Sequence, residues 1–154
     1  MFDRFELLIG NKINDVKRKK VLVVGLGGVG GYTAISLARS GINDITIIDS
    51  DTIDITNINR QIIAFTSTVG KNKTDEVERM IKDINPNAKV TKFTMKLTLD
   101  NIDEVFRFKY DYIVDAVDDI KIKCKLIEIA SKNNIKLIIN KKEININFRG
   151  KYYM

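Results

Sequence analysis

The 154-residue chain contains no histidine and a single cysteine, Cys124. Without histidine, catalysis by an imidazole base, by a Ser-His pair or by a histidine-bound metal is excluded. One cysteine forms neither an internal disulfide nor a Cys-x-x-Cys zinc site, and we expect Cys124 to serve in packing or at the surface. Any chemistry carried out by this chain must therefore use other groups, such as amides, carboxylates, lysines and arginines.

Long apolar runs are also missing, since none approaches the roughly 18 residues that a membrane span needs. The first residues, MFDRFELLIGNK, mix charged and apolar side chains and lack the basic start and apolar core of a signal peptide. We therefore predict a cytoplasmic location and no membrane span. The net charge of +6 favours anionic partners such as nucleotides or RNA, and a biased composition explains it equally well.

Apolar runs of strand length alternate with segments of helical periodicity along the whole chain. The predicted strands are KKVLVVG, DITIID, AKVTKF, YDYIVDAV and IKLIIN. The predicted helices between them are Gly28 to Ser40, a segment around Val77 to Ile84, LDNIDEVFRF, and Ile122 to Asn133. Thr98 or Asp100 is the predicted cap of the third of these helices. One or two short helices precede the first strand. This alternation predicts a single α/β domain over residues 1–154, Rossmann-like and doubly wound, with a mainly parallel sheet.

A glycine-rich turn, GLGGVG, follows the first predicted strand and opens the first long helix. Gly25, Gly27, Gly28 and Gly30 let the backbone turn tightly and approach a phosphate, which the helix N-terminus attracts. Asp49 follows the second strand at the distance where an acid binds ribose hydroxyls. The order of strand, glycines, helix and acid predicts a nucleotide site; a glycine turn without a ligand is the alternative.

Three polar residues after the second strand indicate which chemistry the nucleotide serves. Asn57, Arg60 and Lys73 can fold back toward the glycine turn and neutralise a triphosphate whose α-phosphorus is attacked. Asp118, at the end of the fourth strand, can hold Mg²⁺. Together these residues predict nucleotidyl transfer with ATP and Mg²⁺. Taken one at a time, Arg60 and Lys73 are more typical of solvated charges, and Asp118 is more typical of a helix cap.

Three segments, VLVVGLGGVGGYTAISLARSGINDITIIDSDTIDITNINRQI, VGKNKTDEVERMIKDINP and YDYIVDAVDD, resemble the adenylating core of the E1-like superfamily, which includes bacterial ThiF, MoeB and HesA proteins. RFELLIG, ARSGI and TNINRQI are most similar to the tRNA threonylcarbamoyladenosine dehydratases within that group. The resemblance implies ATP-dependent cyclisation of the threonylcarbamoyl group on adenosine 37 of tRNA. Its implied catalytic residues are Arg60, Lys73, Asp118 and Arg4, the last supplied to the partner's ATP across a homodimer interface.

Two other functions remain open at this stage. The first is adenylation of a sulfur-carrier protein, as in ThiF and MoeB; the second is a noncatalytic nucleotide-binding or dimerisation module. An NAD-dependent oxidoreductase ranks below both, because it leaves Asn57, Arg60 and Lys73 without a role.

Residues 140–154 depart from the family pattern, because relatives continue there with glycine-rich residues and a second portion. We therefore expect a shortened chain that binds ATP and modifies tRNA poorly.

Overall fold

Five parallel strands form the central sheet of the computed structural model, which describes residues 2–139, 145–147 and 151–153. These strands are β1 (Lys20–Val24), β2 (Asp44–Ile48), β3 (Lys89–Phe93), β4 (Tyr112–Asp115) and β5 (Lys136–Ile139). Their spatial order is β3-β2-β1-β4-β5, and every neighbouring pair is parallel. The order reverses between β1 and β4, where sheets of this type bind ligands at the carboxyl ends of their strands. The predicted Rossmann-like α/β fold is confirmed.

Helices precede and connect the strands. They are α1 (Asp3–Ile9), α2 (Ile13–Lys17), α3 (Gly30–Arg39), α4 (Lys73–Ile84), α5 (Ile102–Val105) and α6 (Ile120–Asn133). Two further short strands, β6 (Asn145–Asn147) and β7 (Lys151–Tyr153), pair in antiparallel fashion. Apart from these two strands, the tail predicted to diverge at 140–154 lies outside the described residues. None of the helices in the described part of the chain has the length and hydropathy of a membrane span.

Two separate hydrophobic clusters cover the two faces of the sheet. Alternate residues of β1 belong to different clusters, with Val21 and Val23 in one and Leu22 and Val24 in the other. Buried residues of α3 and α4 complete the first cluster, and those of α5 and α6 complete the second. Because both faces of the sheet are buried, its strands read as continuous apolar runs in the sequence.

The helix predicted from Leu99 to Phe108 is shorter in the structure, where only α5 is helical. The predicted caps, Thr98 and Asp100, are wrong, since Asn101 occupies the N-cap position. The Asn101 side chain instead stabilises the turn before the helix, because its Oδ1 accepts a hydrogen bond from the Thr98 backbone N–H at 2.8 Å.

Candidate functional site

A cavity of about 950 Å³ opens at the carboxyl ends of β1, β2 and β4. Five segments line it: the glycine turn, the loop after β2, the start of α4, the loop after β3, and the turn from β4 to α6. Most of the residues predicted for the site lie on its wall, namely Gly25, Gly27, Gly28, Asp49, Asn57, Arg60, Lys73 and Asp118. Of the predicted residues, Gly30 and Arg4 are not on this wall.

Glycine is required at different positions of the turn for different structural reasons. Gly25 has a φ of +87°, and a Cβ there would lie 2.8 Å from the Ala116 backbone oxygen. A Cβ on Gly30 would lie only 1.8 Å from the Gly25 oxygen, so Gly30 allows α3 to pack closely against the end of β1. A Cβ on Gly27 would meet no atom within 4 Å. Gly27 therefore leaves space in the cavity, while Gly25 and Gly30 serve the backbone geometry.

The N-terminus of α3 lies beside this turn. Its N-cap position, Val29, forms no side-chain cap hydrogen bond. The first N–H groups of a helix have no partner within the helix and attract anions. This turn therefore suits a phosphate chemically, as the sequence predicts.

Asp49 joins the glycine turn to the loop after β2. Its Oδ2 accepts a hydrogen bond from the Leu26 N–H at 2.6 Å, and its Oδ1 accepts one from the Asp51 N–H at 2.8 Å. An ionised carboxylate offers about four acceptor positions, so Asp49 retains acceptor capacity for a ligand hydroxyl.

Lys73 is the first residue of α4 and is only 6% exposed. Its Nζ donates to Asp51 Oδ2 at 2.8 Å and lies 4.0 Å from Asp49 Oδ1. A short antiparallel contact between Thr52 and Asn72 and a hydrogen bond from Lys73 N–H to Asp51 O at 3.0 Å fix this position. The Lys73 hydrogen bond holds the pKa of Asp51 below its ordinary value of 3.8 despite partial burial. The alternative of a solvated charge is therefore wrong for Lys73.

Asn57 and Arg60 are held by short hydrogen bonds in the loop after β2. Asn57 is 8% exposed, and its Oδ1 accepts from the Asp54 N–H at 3.0 Å. Arg60 is exposed, and its Nη1 donates to Thr56 O at 2.7 Å and to Asn59 Oδ1 at 3.0 Å. The Arg60 backbone oxygen lies 3.3 Å from the position that a Gly28 Cβ would occupy. The loop thus places the Arg60 backbone against the glycine turn, and both Asn57 and Arg60 line the cavity.

Two neighbouring aspartates in the turn from β4 to α6, Asp118 and Asp119, have different roles. Asp119 is the N-cap of α6, since its Oδ1 accepts from the N–H groups of Lys121 at 2.9 Å and Ile122 at 3.3 Å. The alternative of Asp118 as the helix cap is therefore wrong, and Asp118 lies on the cavity wall.

The described residues contain no group of three or more acidic or cysteine side chains that could hold a metal by themselves. One carboxylate suits Mg²⁺ when substrate phosphates and water supply the other ligands.

Sequence reasoning missed a buried ion pair beneath that turn. Lys123 Nζ lies 3.0 and 3.1 Å from the two carboxylate oxygens of Asp115, and both side chains are almost fully buried. Asp115 Oδ1 also accepts from the Val117 N–H at 3.2 Å. The sequence feature that could have indicated this ion pair is an acidic residue, Asp115, at the end of a buried strand. Gln61, Asp51 and Lys96 also line the cavity and were not predicted as site residues.

Arg4 is exposed on α1, away from the cavity of its own chain. The ring of Phe2, beside α1, lies 3.6 Å from the position of a Gly41 Cβ, between α3 and β2. Gly41 is at the amino end of β2, whereas the cavity is at the carboxyl ends of the strands. A role for Arg4 in a partner's site stays a prediction.

Comparison with known proteins gives a consistent set of relatives. The ThiF family model matches residues 4–150. A tRNA threonylcarbamoyladenosine dehydratase of Bacillus subtilis is 42% identical over 138 residues, which are 89% of this chain and 54% of the relative. An adenylyltransferase and sulfurtransferase UBA4 of Debaryomyces hansenii is 40% identical over 111 residues, or 71% of this chain and 25% of that protein.

Among solved structures, the chain is similar to the Escherichia coli tRNA N6-threonylcarbamoyladenosine dehydratase in complex with ATP. The TM-score is 0.86 at 37% identity, and the match covers 90% of this chain and 57% of that one. The chain spans about half the length of the dehydratases it matches.

Proposed function

Because this chain belongs to the ThiF family, we propose that its cavity binds ATP and that the chain activates a carboxylate by adenylation. The observation that supports this most is the location of Arg60 and Lys73, two cations on one cavity wall with Gly27 and Gly28. A similar structure of the family contains ATP. A dinucleotide oxidoreductase has no need of this pair of cations at the phosphates.

Each proposed role follows from charge and position. Gly27, Gly28 and the N-terminus of α3 bind the phosphates, while Asp49 binds the ribose through its remaining acceptor capacity. Asn57 donates to phosphate oxygens through its amide. Arg60 and Lys73 stabilise the negative charge that develops when the α-phosphorus is attacked and pyrophosphate leaves.

Asp118 is the proposed ligand of Mg²⁺, which neutralises phosphate charge when it is bound. Arg4 is proposed to act on the ATP of the partner in a homodimer. Mixing an Arg4→Ala variant with a Lys73→Ala variant tests this role, because one hybrid site then regains both residues. Activity restored by mixing supports the role, and two variants that stay inactive together contradict it.

The proposed substrate is the threonylcarbamoyl group on adenosine 37 of tRNA, because the chain is 42% and 37% identical to two tRNA threonylcarbamoyladenosine dehydratases. The threonyl carboxylate attacks the α-phosphorus, which gives an acyl-adenylate and releases pyrophosphate. The neighbouring carbamoyl group then attacks the activated carbonyl, closes the ring and expels AMP.

A second candidate substrate is the C-terminal carboxylate of a sulfur-carrier protein. Its support is the 40% identity to an adenylyltransferase and sulfurtransferase. Both candidates use the same first step, so they differ in the carboxylate and not in the ATP site.

Exchange of labelled pyrophosphate into ATP separates these possibilities. We expect exchange with tRNA that carries threonylcarbamoyladenosine and none with unmodified tRNA. Exchange only with a carrier protein would move the assignment to the second candidate. ATP binding without exchange in either reaction would favour the noncatalytic module, and a chain that binds no ATP would refute the proposed function itself.

A further inference from the structure

A buried ion pair adjoins the cavity wall, and the proposed function gives it no role. Asp115 is the last residue of β4 and is 0% exposed, and Lys123 belongs to α6 and is 3% exposed. The Lys123 Nζ lies 3.0 and 3.1 Å from the two carboxylate oxygens of Asp115. Both charges are kept out of water, so each of them needs the other.

Stability does not account for this pair. Asp115 lies between Val24 of β1 and Ile139 of β5 in the sheet. Lys123 follows Ile122 on α6, and both Val24 and Ile122 belong to one hydrophobic cluster. Apolar side chains suit such surroundings, and replacing a buried ion pair by apolar residues of similar volume is often neutral or stabilising. The two charges are therefore better explained by what they hold in place.

Asp115 and Lys123 hold the two ends of the turn from β4 to α6. Asp115 Oδ1 accepts a hydrogen bond from the Val117 N–H at 3.2 Å, and the Lys123 backbone N–H donates to Asp119 O at 3.0 Å. Asp118 lies between these two contacts. The ion pair closes the turn by joining α6 to the end of β4. The residues of this turn that line the cavity are Ala116, Val117, Asp118 and Asp119.

We infer that Asp115 is a positioning residue for Asp118, because it holds the turn through the Val117 N–H, and that Lys123 supplies the countercharge that a buried carboxylate needs. The inference rests on the proposed function in two respects, that ATP occupies the cavity and that Asp118 is the ligand of Mg²⁺. Mg²⁺ requires near-octahedral geometry, so a displaced carboxylate binds it less well. Replacing a residue that orients a metal ligand typically lowers metal affinity by about 10- to 100-fold.

Two double variants separate the hydrogen bond from the charges. Asp115→Leu with Lys123→Met removes both charges and the acceptor for the Val117 N–H. Asp115→Asn with Lys123→Met removes the same charges and retains an amide oxygen at the acceptor position. Val117 is half-buried and lines the cavity, so water can reach this turn when the acceptor is lost. Urea unfolding should therefore show both double variants closer to the wild type than Lys123→Met alone is.

Titration calorimetry with ATP, in Mg²⁺ and in EDTA, provides the readout. The ratio of the ATP affinity in Mg²⁺ to that in EDTA is the magnesium enhancement. We expect Asp115→Leu with Lys123→Met to lower this enhancement by about 10-fold, toward that of Asp118→Asn, and to leave the ATP affinity in EDTA nearly unchanged. Asp115→Asn with Lys123→Met should retain most of the enhancement, because the turn keeps its hydrogen bond.

Asn85→Leu is the control for a loss of stability alone. Asn85 is a buried amide whose Nδ2 donates to Asn43 Oδ1 at 3.0 Å, and it is not on the cavity wall. This variant should unfold at a lower urea concentration and retain the magnesium enhancement of the wild type. Asp115→Val replaces Asp115→Leu in the double variant if the larger side chain prevents folding.

A wild-type magnesium enhancement in Asp115→Leu with Lys123→Met would overturn the inference, as would equal losses of ATP affinity in Mg²⁺ and in EDTA. Equal enhancements in the two double variants would overturn it too, because the Val117 hydrogen bond would then have no effect. A wild-type chain that binds no ATP would refute the proposed function and the inference together. ATP binding whose magnesium enhancement does not depend on Asp118 would refute the metal role of Asp118 and this inference, while the ATP site would stand.

Discussion

Arg60 is an exposed residue on the cavity wall, and its guanidinium Nη1 donates hydrogen bonds to Thr56 O and Asn59 Oδ1 within its own loop. We predict that Arg60→Ala lowers the rate of substrate-dependent pyrophosphate exchange by about 10²-fold, because it removes charge stabilisation in the transition state. The free energy of unfolding should change by no more than about 0.5 kcal/mol, as is usual for a surface substitution.

Arg39→Ala is the matched control for Arg60→Ala. Arg39 is an exposed arginine at the end of α3 and is not on the cavity wall. Equal exchange rates for the two alanine variants would contradict the assignment of Arg60.

Asp115 and Lys123 allow a second test at the scale of single residues. Removing one partner leaves an uncompensated buried charge, so Lys123→Met should lower the free energy of unfolding by about 3–5 kcal/mol. Replacing both, with Asp115→Leu and Lys123→Met, should recover most of that loss. Urea unfolding of the single and double variants measures this difference, and a single variant as stable as wild type would show that the pair contributes nothing.

The sequence predicts individual cavity residues better than it predicts their partners. Lys73 was predicted from its position after the glycine turn and the second strand, and it does lie on the cavity wall. Its pairing with Asp51, and that of Lys123 with Asp115, depend on contacts across a turn or between distant segments. The periodicity of a sequence does not predict such contacts, so these ion pairs could be identified only from the structure.

At the scale of elements, we predict opposite effects on stability and ATP binding for substitutions of two glycines in the turn from β1 to α3. Gly30→Ala should destabilise the fold strongly, because its Cβ would overlap the Gly25 oxygen at 1.8 Å. Gly27→Ala should leave unfolding nearly unchanged, since its Cβ would meet no atom within 4 Å, and should weaken ATP binding by occupying space in the cavity. Thermal unfolding and ATP titration of both variants measure the two effects. A Gly27→Ala variant that binds ATP normally would contradict the close approach of a phosphate there.

Glu76 on helix α4 should contribute stability at neutral pH that the protein loses in acid. Burial disfavours the charge of Glu76, but hydrogen bonds from Arg79 and Lys71 outweigh it, so the pKa of Glu76 lies below its ordinary value of 4.5. Since the folded-state pKa is lowered, this contribution is fully present above pH 4.5 and is lost as the pH falls through the lowered value.

The prediction is that Glu76→Gln is less stable than wild type at neutral pH, and that the difference shrinks below pH 4.5. Urea unfolding at several pH values measures this convergence. Glu104→Gln, which makes the same change at an exposed position of α5, should track the wild type. A difference for Glu76→Gln that stays constant with pH would contradict the role of its charge.

The elements differ in how far their sequence determines them. All five strands of the main sheet were predicted, because buried parallel strands have continuous apolar runs. The loop between β2 and α4 has no such period. Its shape depends on local hydrogen bonds such as those of Asp54 with Thr56 and Asn57, and a single sequence does not show which of its polar residues bond within the loop and which contact a ligand.

At the scale of the whole molecule, the strand order brings distant segments to one cavity. Asp49 follows β2, Asp118 follows β4 and Lys73 begins α4, yet all three lie on the same wall because parallel strands end at the same edge. This convergence was predicted from the alternation of strands and helices. The roles of these residues in ATP chemistry stay predictions, because position alone does not reveal a reaction.

The convergence of these segments predicts that ATP stabilises the entire domain. A ligand that binds only the folded state at 100 times its Kd adds about 2.7 kcal/mol to the free energy of unfolding. We therefore expect ATP to raise the thermal unfolding midpoint with increasing concentration, and NADH to have little effect, because Arg60 and Lys73 suit a triphosphate. Lys73→Met should reduce the ATP effect, since it removes a cation from the cavity wall. Equal shifts with ATP and NADH would show that the cavity recognises only the adenosine diphosphate portion that the two molecules share, and would contradict a site built for a triphosphate.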